Sequence, residues 1–150
     1  MSLRSKSREF ALQMLFQWEM GREAPARLEK AFWKGARAEG ATREFANQLF
    51  EGVAADTERL DALIESHADN WRVGRMSVID RAILRLATYE LTRTSTPPKV
   101  VLDEAIELAK KFSGDEAAPF VNGVLDAIAR ISDATSPKAE SPDEGSAEGS

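Results

Sequence analysis

The 150-residue sequence contains no cysteine and a single histidine, His67. The absence of cysteine excludes disulfides and thiolate metal sites and fits a reducing compartment. One histidine leaves a zinc site without enough of its usual ligands, so we predict no metal and no cofactor. His67 lies one helical turn after Leu63 and Ile64, which favours a place at the edge of the core over a catalytic role.

Several sequence signatures of enzymes and membrane proteins are also missing. There is no glycine-rich phosphate loop and no dinucleotide fingerprint. Acidic residues are frequent, but their spacing does not indicate a cleft in which paired carboxylates act as acid and base. No apolar run approaches the roughly 18 residues that a membrane helix needs. We therefore expect a soluble, cytoplasmic protein that is not an enzyme and has no membrane segment.

Positive charge is scarcer than negative charge, with 20 Lys and Arg against 25 Asp and Glu. Much of the acidic excess lies in residues 132–150, which contain no large apolar side chain. The charged residues there are Asp133, Lys138, Glu140, Asp143, Glu144 and Glu148. Such a segment cannot bury enough apolar surface to offset its ordering entropy. We predict a folded domain over residues 1–131 and an acidic disordered tail over residues 132–150.

The folded part shows apolar residues at helical spacing and no convincing strand alternation. One helix is predicted around the stripe Ala11, Met14, Leu15 and Trp18, with Gly21 at its end. A second begins near Pro25 and ends at Gly40. A third is capped by Thr42 and is bent or split at Gly52.

Further helices are predicted after three short segments that favour helix boundaries. Ser77 and Asp80 have the spacing of a capping box. The stretch 94–98 is a turn that contains two prolines, and Gly114 with Asp115 separates the last two helices. The prediction is an all-α, single-domain bundle of about six or seven helices.

Some polar residues on these helices have a simple interpretation as surface ion pairs at helical spacing. Arg81 and Arg85 are one turn apart, Glu90 precedes Arg93 by three residues, and Glu107 precedes Lys111 by four. Asn122 is different, because asparagine is a poor helix former unless its amide has a partner. A structural hydrogen bond and a binding role for Asn122 stay equally open.

Four stretches together resemble the NusB family of bacterial transcription antitermination factors. They are SREFALQMLFQWE, DRAILRLATYEL, PPKVVLDEAIELAKKF and PFVNGVLDAI, and the resemblance runs from about Arg4 to Ile131. It implies a NusB-like helical protein that binds boxA, a short single-stranded RNA element of ribosomal RNA transcripts. It also implies a partner, the small-subunit ribosomal protein NusE, and a complex on RNA polymerase that suppresses termination. Members are monomers or dimers, so a homodimer stays open.

The resemblance also implies which residues bind RNA and which bind NusE. The basic N-terminal segment, here Arg4, Lys6 and Arg8, is expected to contact RNA. The start of the last helix contributes Phe120 and Asn122, with Lys111 and Phe112 nearby. The helix that begins at Asp80 belongs to the partner surface and supplies Asp80, Arg81 and Leu84.

The physical properties of single-stranded RNA agree with these assignments, because it is held by cations along its backbone and by flat groups against its bases. Phe16, Phe112 and Phe120 offer ring faces, although we expect at least two of them to pack in the core. Glu116 lies one turn before Phe120, so its charge should oppose nearby phosphates. The alternative function is a helical protein–protein adaptor without direct RNA binding, in which the basic segment is a solvated helix end.

Overall fold

All regular secondary structure in the described part of the chain is helical, as the apolar stripes predict. The structure is a computed structural model that describes residues 2–69 and 71–135, with side chains as far as residue 132. The helices are α1 (Leu3–Gly21), α2 (Pro25–Gly35), α3 (Gly40–Ala55), α4 (Thr57–His67), α5 (Val78–Arg93), α6 (Pro98–Phe112) and α7 (Ala117–Thr135), with a 3-10 turn at Val73–Arg75. This confirms the prediction of an all-α bundle. None of the described helices combines the length and apolar content needed to cross a membrane.

Helix α5 is the centre of the bundle. It packs against α1, α3, α4, α6 and α7, and it is buried almost all round between Ala82 and Thr88. A helix surrounded in this way exposes little of its circumference to water. Its polar side chains therefore need partners inside the protein. His67, at the end of α4, is half-buried with Nδ1 2.9 Å from the carbonyl oxygen of Leu63, at the predicted core edge.

The predicted surface ion pairs on α5 are wrong, because Arg85 and Glu90 turn inward to partners on other helices, while Arg93 stays exposed and pairs with Asp56 at 3.4 Å. Glu90 accepts from Arg8 Nε at 2.7 Å and from Arg8 Nη2 at 2.8 Å instead of pairing with Arg93. Arg85 donates to Asp61 at 2.7 Å and to Glu19 at 2.9 Å. The sequence spacing along one helix cannot show these partners, since they lie on α1 and α4.

The buried ion pairs shift the pKa values of their members. Burial alone would raise the pKa of Glu19, but hydrogen bonds from Arg81 and Arg85 outweigh it and hold that pKa below its ordinary value. Burial would lower the pKa of Arg8, but the hydrogen bond and the charge of Glu90 outweigh burial and hold that pKa above its ordinary value. The charged forms are therefore the stable forms at these positions.

Three predicted boundaries differ from the structure. Helix α2 ends at Gly35 instead of Gly40, because Ala36 has an extended backbone. Helix α3 already begins at Gly40, so Thr42 lies inside it and is not its cap. Gly52 neither bends nor splits α3, which continues to Ala55. The ring of Tyr89 lies directly against Gly52, where a side chain would collide with it.

The predicted helix start at Ser77 and the breaker at 94–98 are confirmed. Ser77 Oγ accepts from the backbone N–H of Asp80 at 3.1 Å, and α6 begins at Pro98. Gly114 has φ +144°, a conformation that favours glycine, in the turn between α6 and α7.

Helix α7 runs past the predicted domain boundary at residue 131 and continues to Thr135. No glycine or proline stands at residues 131–136, so the sequence contains no helix breaker at the predicted boundary. The remainder of the predicted acidic tail, residues 136–150, lies outside the described residues.

Candidate nucleic-acid interface

Two of the predicted phenylalanines line one groove between α1, α5 and α6. This Phe16 groove has a volume of about 240 Å³ and is lined by Leu12, Gln13, Phe16, Gln17, Ile79 and Phe112. The side chain of Phe16 is 38% exposed, and Phe112 is half-buried. The groove therefore presents ring surface to solvent between two glutamines.

A second groove holds the third phenylalanine together with a tryptophan that the sequence reasoning missed. This Trp71 groove has a volume of about 470 Å³ and is lined by Trp71, Arg75, Met76, Ser77, Asp80, Ser113, Glu116, Ala117 and Phe120. Trp71 is 51% exposed, and its ring lies 5.8 Å from that of Phe120, tilted by 59°. The available signal was a large aromatic residue in a polar connection that belongs to no apolar stripe.

The two grooves adjoin at the start of α5. The hydroxyl of Ser113 donates to the carboxylate of Asp80 at 2.6 Å, and both residues line the Trp71 groove. Their chain neighbours Phe112 and Ile79 line the Phe16 groove. As expected for at least two of the three phenylalanines, Phe112 and Phe120 pack against the core, although both are only half-buried, while Phe16 is exposed. All three lie at the rim, because α6 ends and α7 begins at this edge of the bundle.

The N-terminal basic segment divides into two exposed cations and one buried one. Arg4 and Lys6 are exposed, and the Arg4 guanidinium lies 4.1 Å from the centre of the Phe45 ring. Arg8 shares that face of α1, as predicted, but its side chain is only 3% exposed and is held by Glu90. The expectation of a solvated Arg8 available to phosphates is therefore wrong, since this face of α1 packs on α5.

Lys111 and Asn122 are exposed, but they differ in how they relate to the grooves. Lys111 pairs with Glu9 of α1 at 3.0 Å, not with Glu107. Asn122 makes no side-chain hydrogen bond with any described residue. Residues two apart on a helix are rotated by about 200°, so Asn122 and Phe120 lie on opposite flanks of α7. The structure does not bring these two predicted RNA contacts together.

The three predicted partner residues also differ in accessibility. Asp80 is half-buried where the grooves adjoin, and Arg81 pairs with Glu19 at 3.3 Å and donates to the carbonyl of Met76 at 2.7 Å. Leu84 is fully buried. Its assignment to an exposed partner surface is therefore wrong, because it faces the core side of the central helix.

The described residues contain no group of three or more His, Cys, Asp or Glu side chains placed to hold a metal ion. What the surface does offer is flat aromatic rings in two adjoining grooves, with Lys6 and Lys111 beyond them on α1 and α6. Rings that stack on bases and cations that meet phosphates are the two elements of a site for single-stranded nucleic acid.

Comparisons with known proteins identify the family of the chain. The family model described as the NusB family matches residues 5–130. The chain is 47% identical over 133 residues to the transcription antitermination protein NusB of Koribacter versatilis, covering 87% of this chain and 91% of that protein. It is 44% identical over 130 residues to NusB of Sorangium cellulosum, covering 86% and 93%.

Solved structures share the fold over most of the chain. NusB of T. maritima matches with a TM-score of 0.76 and 36% identity, covering 85% of this chain and 90% of that one. A chain from the crystal structure of the antitermination factors NusB and NusE in complex with dsRNA matches with a TM-score of 0.77 and 30% identity, covering 86% and 97%. With the family model matched over nearly all the described residues, these similarities show that the chain belongs to the NusB family of transcription antitermination factors.

Proposed function

We propose that this protein binds boxA-type single-stranded RNA of ribosomal RNA transcripts together with NusE. The two proteins would join the antitermination complex on RNA polymerase, and this protein would therefore act in the cytoplasm. The observation that carries the proposal is the pair of adjoining grooves with exposed rings at their rims. The solved complex of related NusB and NusE chains with dsRNA supports RNA and NusE as the two kinds of partner.

Bases are expected in the grooves and phosphates on the cations along α1. Trp71, Phe120, Phe112 and Phe16 supply ring faces, and stacking one base on such a face contributes about 1–3 kcal/mol. Lys6 lies on the exposed side of α1, about 15 Å along the helix axis from Phe16 at 1.5 Å per residue. This spacing suits a strand that leaves the Phe16 groove and follows α1 towards its N-terminus.

Charge within the Trp71 groove gives the RNA an orientation. The carboxylates of Glu116 and Asp80 line this groove and repel phosphates, while Arg75 attracts them. Base edges, which carry donors as well as acceptors, suit the acidic side of the groove. The backbone is therefore expected to run on the side of Arg75, away from Glu116.

Of the predicted NusE contacts, those that stay accessible lie at the start of α5. Because Leu84 is buried and Arg81 is engaged by Glu19, Asp80 is the remaining predicted contact on this helix. Its carboxylate suits a cationic side chain of the partner. Asp80 lies where the two grooves adjoin, so NusE and RNA would bind side by side.

The proposal is tested by titrating the full chain with a boxA-type single-stranded RNA and a scrambled RNA, with and without NusE. Trp71→Ala should weaken boxA binding by about 5- to 150-fold, the equivalent of one lost stacking contact of roughly 1–3 kcal/mol. Val100→Ala is the matched control, because Val100 is also exposed but lies outside both grooves. RNA binding should quench the fluorescence of Trp71.

The outcomes separate the proposal from the adaptor alternative. A Trp71→Ala protein that binds boxA as the Val100→Ala control does would remove the Trp71 groove from the RNA site. Tight binding of NusE without measurable binding of either RNA would identify a protein–protein adaptor. Asp80→Lys should weaken NusE binding, and unchanged affinity in the folded variant would remove Asp80 from the partner surface.

A further inference from the structure

A block of basic residues outside the candidate interface has no ion-pair partner among the described residues. Arg27, Lys30, Lys34, Arg37 and Arg43 are all exposed, and none lies within 4.0 Å of a described carboxylate oxygen. The basic residues between 81 and 99, by contrast, are all engaged by Asp or Glu side chains. Five of the ten described basic residues without an ion pair therefore lie on α2, the connection after it and the start of α3; the others are Arg4, Lys6, Arg72, Arg75 and Lys110.

Three of these cations form a stripe along the outer face of α2. Arg27, Lys30 and Lys34 fall within about 60° of one another around the helix, given 3.6 residues per turn. They lie on the side of the helix away from the buried side chains of Leu28 and Phe32. We call Arg27, Lys30 and Lys34 the α2 stripe.

The single acidic residue of α2 does not neutralise the stripe. Glu29 lies on the inner side of the helix, and its pKa is raised to about 8 by burial and by the neighbouring Glu51. Its carboxyl is therefore mostly protonated near neutral pH. Helix α2 carries three outward positive charges that no charge of its own offsets.

The α2 stripe is continuous with the exposed face of α1. The Lys6 ammonium lies 5.3 Å from the Phe10 ring, and the Arg43 guanidinium lies 5.0 Å from the Trp33 ring. Phe10 and Trp33 touch edge to face, with centroids 5.1 Å apart. Lys6 and Arg43 therefore flank one aromatic cluster that joins α1 to α2. Lys30 lies next to Trp33 on the circumference of α2.

We propose that the α2 stripe holds the phosphate backbone of RNA that flanks the boxA element. The stripe has cations but no exposed ring, so it fits phosphates without reading bases. Its continuity with Lys6 lets one strand pass from the grooves along α1 and onto α2. The inference rests on the proposed RNA function and lengthens the RNA footprint beyond the recognised element.

The test compares the boxA-type RNA alone with the same RNA carrying single-stranded uridine flanks at both ends. The full chain is titrated by fluorescence anisotropy at several salt concentrations, as wild type and as Lys30→Gln/Lys34→Gln. Arg93→Gln/Arg130→Gln is the matched control. The control also removes two positive charges, at Arg93 on α5, whose side chain is 52% exposed, and at Arg130 on α7, whose side chain is 79% exposed.

The flanked RNA should bind the wild type more tightly than the element alone. For the flanked RNA, the α2 variant should lower the log–log salt slope by about 1.4, at about 0.7 for each single-strand phosphate. Its binding of the element alone should be unchanged, and the control variant should leave both RNAs unaffected.

Equal wild-type affinity for the two RNAs would overturn the inference, as would an equal loss in the α2 variant and in the control. Failure of the proposed function is a different result, namely equal binding of boxA and scrambled elements. In that case, the gain in affinity when uridine flanks are added to the scrambled RNA still decides whether the α2 stripe binds RNA.

Discussion

Removing one member of the buried ion pair between Arg8 and Glu90 is expected to cause a large loss of stability. The two side chains are only 3% and 2% exposed, and two hydrogen bonds of 2.7 and 2.8 Å join the guanidinium to the carboxylate. Arg8→Met would leave the Glu90 carboxylate buried and uncompensated. Breaking a buried pair in this way costs about 3–5 kcal/mol. That is a large share of the roughly 5–15 kcal/mol by which domains are stable.

Urea unfolding followed by circular dichroism measures this loss. The control is Arg4→Met, because Arg4 is exposed, pairs with no described carboxylate and lies over the Phe45 ring, a contact worth about 0.5–1 kcal/mol. The double variant Arg8→Met/Glu90→Leu should recover most of the stability, since replacing both members by apolar residues is often neutral.

The same variants distinguish a structural role of Arg8 from a role in RNA binding. At temperatures where it stays folded, the Arg8→Met/Glu90→Leu protein should keep wild-type affinity for RNA. An Arg8→Met protein as stable as Arg4→Met, with a loss of RNA affinity instead, would refute the reasoning from burial.

Two further predictions concern the neighbouring helices. The pKa of Glu29 is raised from 4.5 to about 8 on folding, chiefly by burial and then by Glu51, so its stabilising contribution is lost as the pH rises through that interval. We would measure the free energy of unfolding in urea at several pH values. Between about pH 4.5 and 8 it should fall less with rising pH for Glu29→Gln than for the wild type, and an equal fall in both proteins would contradict this. Gly52→Ala should destabilise by about 1–3 kcal/mol in thermal unfolding, because its methyl group displaces the Tyr89 ring. Gly123→Ala, which meets open space, should be neutral or stabilising, and equal melting of the two variants would argue against the Tyr89 contact.

The sequence predicts local structure well where one short segment contains the whole signal. The stripe that contains Met14 and Leu15 predicts α1, and Ser77 predicts the start of α5, because spacing and capping act within a few residues. Arg8 shows the limit. It stands among other polar residues, and its burial depends on Glu90, which is 82 positions further along the chain.

The candidate site could be predicted only in part for the same reason. Phe16, Phe112 and Phe120 were identified, but their position at the rim depends on how α6 and α7 meet α5. Trp71 was missed, because its groove forms only when the 3-10 turn lies beside α7. Asn122 is close to Phe120 in sequence, yet the helix places the two on different flanks.

The link from Arg8 to Glu90 also constrains the order in which the chain can fold during synthesis. At about 5–20 residues per second, Glu90 leaves the ribosome roughly 4–16 s after Arg8. In that interval α1 can pair with α3, where the Arg8 guanidinium lies 5.6 Å from the Phe45 ring. During that interval Arg8 has not yet met the carboxylate that pairs with it in the folded core. We expect the contact of Arg8 with Glu90 to form late, because contacts of long sequence separation are the kind that slows folding.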